Sequence, residues 1–96
     1  MKEKTGAELI ADERQRQIEE EGWSAEHDTQ HPSGQLALAG ACYALDAVGL
    51  VGTASDWWPW DEKWWKPTPN DPVRQLTKAG ALIAAEIDKI QRTRVK

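Results

Sequence analysis

The sequence predicts an all-α fold, a small three-helix domain with a long, ordered, tryptophan-rich connection between helices two and three, and it predicts that this domain is oligomeric. Three observations carry the reading. Thr5-Gly6-Ala7-Glu8 has capping-box spacing, in which a threonine oxygen and a glutamate each satisfy a free backbone donor at a helix start. Asp71-Pro72 sets an N-cap before a proline at the first helical position, where a missing N–H costs nothing. Val73, Leu76, Gly80, Ile83, Ile87 and Ile90 recur in steps of three and four, as one face of a helix does.

Helix one is expected from Thr5 to Glu21, with Ala7, Ile10, Ala11, Arg14 and Ile18 as a narrow stripe and Gly22 as its terminator. Glu19, Glu20 and Glu21 crowd the end where the macrodipole is already negative, which local electrostatics disfavours. Trp23 to Pro32 loses periodicity and reads as an ordered loop. Ser33 is expected to cap helix two, roughly Gly34 to Val48, whose Leu36, Ala39, Gly40, Tyr43, Ala44 and Ala47 permit a close helix approach, with Gly49 and Gly52 ending it. Helix three follows Asp71 and carries Lys89, Arg92, Arg94 and Lys96 towards its negative end. Ala81, Leu82, Ala84 and Ala85 make its middle apolar nearly all round, so two partner helices are too few to cover it and self-association through helix two or three is expected.

A chain of 96 residues with 40% hydrophobic and 29% charged residues can bury one thin core, so one domain over residues 1–96 is the expectation. Its net charge of −4 argues against duplex nucleic acid as a partner while leaving room for a local basic pocket. No stretch approaches membrane-spanning length, and Lys2, Glu3 and Lys4 stand where a leader's apolar run would begin, so a cytoplasmic protein with no membrane partner is expected. Cys42, the single cysteine, reads as a buried structural thiol inside helix two.

The connection from Gly49 to Asn70 is longer than compact domains usually allow, and it holds five of the six tryptophans: Trp57, Trp58, Trp60, Trp64 and Trp65. A short helical turn is expected near Asp61 to Trp65. Adjacent side chains diverge, so Trp57/Trp58 and Trp64/Trp65 should each split between core and surface. Exposed indoles beside Lys63 and Lys66 could stack a planar ring and neutralise a phosphate, with Lys78 adding charge, and such stacking contributes about 1–3 kcal/mol per base. A hydrophobic subunit contact is the competing explanation.

Glu13, Arg14, Arg16, Gln17, Glu20, His27, Asp28 and His31 form a second polar constellation. A divalent cation is conceivable there, yet helix two offers only Gln35 and the distant Asp46 as the facing half of a metal site. Pro32 makes a zinc-binding helical pair of His27 and His31 doubtful. Ser24, Ser33 and Ser55 lack a glycine elbow and no glycine-rich phosphate loop is present, which argues against covalent catalysis.

With these residues assembled, the chain resembles a family of small proteins encoded by tailed phages and prophages. The resemblance rests on Glu13-Arg14-Gln15-Arg16-Gln17, Glu21-Gly22-Trp23, His27-Asp28, His31, Gly34, Leu36-Ala37, Tyr43-Ala44, Trp58-Pro59-Trp60, Trp65-Lys66-Pro67 and Lys78-Ala79-Gly80-Ala81-Leu82-Ile83 with Ala85-Glu86-Ile87, and covers about residues 12 to 90. It implies a bacterial host's cytoplasm and a distant likeness to all-α nucleotide pyrophosphohydrolases. Thr29 and Gln35 stand where that pattern leads one to expect acidic residues.

The leading expectation is a non-catalytic anti-defence protein that sequesters a nucleotide-type signal, a cyclic nucleotide among the candidates. Its ligand-binding residues would be Arg14, Arg16, Trp23, His27, His31, Trp58, Trp60, Trp65, Lys66 and Lys78, with no cofactor. One alternative is a magnesium-dependent nucleoside triphosphate pyrophosphohydrolase using Glu13, Glu20, Glu21 and Asp28, with Glu86 reaching in. Another is a protein-binding inhibitor of a host factor acting through Trp57–Trp65.

Overall fold

Two of the helices begin where the side chain of the preceding residue, Thr5 or Asp71, satisfies a free backbone donor. The computed structural model describes residues 3–22, 31–32 and 34–94. Helix α1 spans Gly6–Glu21, and its capping box is formed: Glu8 N donates to Thr5 Oγ1 at 3.2 Å and Thr5 N donates to Glu8 Oε1 at 2.7 Å. Gly22 closes it in the left-handed region at φ 70°.

Helix α2 spans Gln35–Ala47, and its N-cap is Gly34 at φ 91°, a position with no side chain to offer. The expected cap, Ser33, lies outside the described residues. A carboxylate from the far end of the chain acts at this terminus, since Ala37 N donates to Glu86 Oε1 at 3.1 Å. At the other end Gly49, at φ 92°, lets the Leu50 N–H return to Leu45 O at 2.9 Å.

The expected count of three helices needs correcting, because a short helix α3, Val51–Trp57, occupies the start of the long connection. Gly52 therefore lies inside a helix rather than ending one. The local sequence Val-Gly-Thr-Ala-Ser-Asp-Trp has poor helix propensity, so tertiary packing decides, with Ala54 fully buried where α3 lies against α2. A 3-10 turn follows at Glu62–Trp64, where the Asp61 carboxylate accepts from Lys63 N at 2.9 Å, close to the turn expected there.

Helix α4 spans Pro72–Arg94. Asp71 caps it as its position before proline requires, accepting from Arg74 N at 3.0 Å. The core lies between α2 and α4: Leu36, Ala39 and Tyr43 meet Ala79, Leu82 and Ala85, and Trp58, Trp60 and Trp65 pack over them. Gly40 is required here, since a Cβ on it would come within 2.9 Å of the Ala79 carbonyl oxygen.

α1 crosses the other flank of α4, where a Cβ on Gly80 would sit 2.5 Å from Ile10 Cδ1. The buried residues of α1 are not those of the expected apolar stripe. Ala7 and Ala11 are exposed, and the buried positions are Glu13, whose carboxylate accepts from Arg16, Arg74 and Gln17, and Gln17 itself. The described residues thus comprise four α-helices and one 3-10 turn, an all-α architecture, with no helix long and apolar enough to cross a membrane.

Candidate functional site

The aromatic residues that α2 and the connection contribute pack around Trp58, which stands edge to face with Tyr43 and with Trp60 and tilted against Trp65. Trp58 packs against Tyr43 at 5.5 Å between centroids, Trp60 at 5.3 Å and Trp65 at 4.8 Å, and Trp60 reaches His31 at 4.7 Å. Such clusters add about 0.5–1.5 kcal/mol per pair to their area burial. The indole N–H groups of Trp58 and Trp60 are both satisfied: Trp58 Nε1 donates to Asp61 O at 3.1 Å, and Trp60 Nε1 donates to Gln35 Oε1 at 2.9 Å. Each adjacent pair divides as its geometry demands. Trp57 and Trp64 are more than half exposed, while Trp58 and Trp65 are half-buried.

The connection is fastened at its far end. Lys66 N donates to Tyr43 Oη at 3.2 Å, and Lys78 Nζ, reaching up from α4, donates to Lys66 O at 2.9 Å. Two residues on, Thr68 N donates to the buried Gln75 Oε1 at 2.6 Å, and Gln75 in turn donates to Asp46 Oδ2. These bonds hold the aromatic wall against the helices, which a loop of this length would not do unaided.

Between that wall and α1 lies a cavity of about 480 Å³, within the roughly 300–1,000 Å³ of small-molecule sites. Its aromatic side is Tyr43, Trp58, Trp60, Trp64 and His31, and its helical side carries Arg16, Gln17 and Glu21 of α1 with Arg74 and Lys78 of α4. Lys66 stands at the rim, its ammonium 6.0 Å from the Trp64 ring, and Lys63 lies 5.4 Å from the same ring. Burial, and then the neighbouring Arg74 guanidinium, push the Lys78 ammonium below its usual range, although Glu13 pulls the other way.

The floor is organised by Glu13, whose side chain is 2% exposed. Oε1 accepts from Arg16 Nε at 2.9 Å and from Arg74 Nη1 at 2.6 Å, and Oε2 accepts from Arg16 Nη2 at 2.9 Å and Gln17 Nε2 at 3.1 Å. These bonds fill the lone-pair sites of a carboxylate. Burial alone would raise its pKa, but hydrogen bonds from Arg16 and Arg74, and their charges, outweigh that and lower it to about 2. Glu13 is thereby a structural hub with no lone pair to spare for a metal or a proton.

Six of the expected ligand residues converge on the cavity: Arg16, His31, Trp58, Trp60, Lys66 and Lys78. Trp65 stands behind them, stacked on Tyr43 at 4.8 Å and on Trp58, and Arg14 turns towards Asp88, 3.6 Å away. Trp23 and His27 lie outside the described residues, as does Asp28. Glu86 does not line the cavity and its Oε1 accepts from Ala37 N of α2, and among the described residues no group of three or more His, Cys, Asp or Glu is placed to hold a metal ion. Arg74 was not foreseen. It sits four residues before Lys78 on α4, so the shared helix face was the signal that could have found it.

The comparisons with known proteins return no match, since no family model fits the chain and neither a curated protein nor a solved structure is significantly similar to it.

Proposed function

We propose that this chain is a binding protein for a small nucleotide-type anion, held in the cavity between α1 and the tryptophan wall. The observation that carries the reading is the pairing, in one cavity, of an aromatic face built from Trp58, Trp60 and His31 with the cations Arg16, Arg74, Lys66 and Lys78. A planar base stacks on the first, and phosphate oxygens pair with Lys66 and Lys78 of the second, since Glu13 already holds the guanidinium groups of Arg16 and Arg74. The set has no activated nucleophile, and Glu13 is saturated, which favours capture over turnover. If the likeness to phage proteins holds, sequestration of a host's nucleotide signal is the use such capture would serve.

The same reading includes a homo-oligomer. α4 is covered by α1, by α2 and by the aromatic wall, while Val73, Leu76, Ile83, Ile87 and Ile90 remain 41–59% exposed on its outer face. With Gly80, which Ile10 of α1 covers, the stripe has the three-and-four spacing of a helix seam, and its exposed residues span about 25 Å at 1.5 Å per residue. Its fitting occupant is α4 of a second copy, antiparallel, which would bring Arg94 near the partner helix's first turn and the capping carboxylate there, opposite charges at opposed dipole ends. Lys78 lies on nearly the opposite side of α4, so pairing leaves the cavity open.

Isothermal titration with mono-, di- and cyclic nucleotides tests the binding claim. Saturable binding by at least one, lost in Trp60→Ala and weakened in Lys66→Ala, is the expected result. No heat and no melting shift across the panel, with the fold intact, would overturn it.

A further inference from the structure

The cavity's helical wall contains one polar atom that the fold leaves unanswered. Gln17 is 2% exposed, its Nε2 is committed to Glu13 Oε2, and its Oε1 meets no hydrogen-bond donor among the described residues. The orientation of the amide is fixed, because only the nitrogen can donate to a carboxylate. A buried carbonyl without a donor is costly, and a ligand N–H that reached it would recover that cost. One turn further along α1, on the same face, Glu21 also lines the cavity; one of its carboxylate oxygens accepts from Arg16 Nη2 at 2.9 Å. The two side chains together present acceptors, not donors, to whatever lies against the indoles. Phosphate, itself an acceptor, is repelled from this end and belongs at the Lys66 and Lys78 end.

We infer that Gln17 is the specificity-determining residue of the cavity, its Oε1 accepting an N–H from the Watson–Crick edge of a stacked guanine while Glu21 takes the neighbouring N–H. Guanine alone among the common bases carries two adjacent donors, N1–H and the 2-amino group, on that edge. Adenine and cytosine place a ring acceptor beside their amino group, and uracil flanks its single N–H with two carbonyls. This inference rests on the nucleotide reading above and sharpens it to a base and an orientation: base edge against α1, phosphate at the lysine rim.

The test is titration of guanosine 5′-monophosphate, adenosine 5′-monophosphate and purine riboside 5′-monophosphate into the full chain and into Gln17→Met. The last ligand keeps the stacking ring and the phosphate and has no N–H on that edge. The expected result for the unaltered chain is guanosine monophosphate tightest, with at least a tenfold advantage over purine riboside monophosphate. In Gln17→Met that advantage falls to within about threefold while purine riboside monophosphate keeps its affinity. Equal binding of all three by the unaltered chain overturns the inference and leaves the nucleotide reading standing, and this comparison needs no variant to fold. An undiminished guanine preference in a folded Gln17→Met also overturns it. Binding of none of the three also overturns the inference, and the nucleotide reading is then decided by the di- and cyclic nucleotides of the wider panel.

Discussion

Arg74 Nη1 donates to Glu13 Oε1 at 2.6 Å across 61 residues of chain, tying the middle of α1 to the first turn of α4 at the floor of the cavity. Glu13 is nearly inaccessible and Arg74 about a third exposed, so the carboxylate has no water to fall back on when the pair is broken. Removing its charge by Glu13→Gln is expected to cost about 1.5–3 kcal/mol, the range for hydrogen bonds to charged groups. Urea denaturation of the two proteins at neutral pH checks this.

The same carboxylate predicts an acid limit. Its pKa falls from 4.5 in the open chain to about 2 in the fold, so the unfolded state binds the proton more readily. The stabilisation is complete above the unfolded value and is lost as pH drops from 4.5 towards 2, an expected loss of about 2–3 kcal/mol. Melts at pH 6, 4 and 3 should show the gap between wild type and Glu13→Gln closing as acidity rises, and a gap that stays constant would contradict the assignment.

Two helix glycines should respond differently to alanine. At Gly40 the new methyl meets the Ala79 carbonyl oxygen at 2.9 Å, backbone that cannot swing aside, so Gly40→Ala should destabilise by about 1–3 kcal/mol. At Gly80 it meets the end of the Ile10 side chain, which can rotate, and the helix gains about 1 kcal/mol in propensity. Gly80→Ala should therefore be near neutral, and closer to stabilising when combined with Ile10→Ala than the single changes sum to.

Self-association is expected to depend on the outer face of α4. Ile83→Asp combined with Ile87→Asp should shift the chain to a monomer in sedimentation equilibrium, with its helical circular dichroism retained because both positions are 41% or more exposed. A monomeric unaltered chain at high micromolar concentration would remove this part of the proposal.

Cys42 is fully buried and burial raises its thiol pKa, so it should resist iodoacetamide at pH 8 in the folded protein and react in urea. Prompt labelling of the folded chain would show that α2 opens on the reaction timescale.

What was legible in the sequence is what local chemistry decides. The Thr5–Glu8 box, the Gly22 stop and the Asp71-Pro72 start depend on neighbours within four residues, and each appears where its spacing places it. α3 was not legible, because its residues disfavour a helix and only the burial of Ala54 under α2 stabilises one. Nor was the burial of Glu13 and Gln17, which a hydrophobic-periodicity argument assigns to solvent: Gln17 donates to Glu13, and Arg74, the partner that closes the cluster on Glu13, lies 61 residues from it. The division of the paired tryptophans was legible, since it follows from the divergence of adjacent side chains whatever the fold. The convergence of Arg16, His31, Trp58, Trp60, Lys66 and Lys78 was readable only as a list of suitable chemistries, and their common cavity needed three-dimensional placement.

The most direct test of the central claim is the indole N–H region of a proton–nitrogen correlation spectrum, recorded while guanosine 5′-monophosphate is added. The signals of Trp58, Trp60 and Trp64, assigned by single Trp→Phe substitutions, should move together along one saturation curve while exposed Trp57, which does not line the cavity, stays in place. Stationary signals for those three at saturating nucleotide, or movement confined to Trp57, would contradict the account.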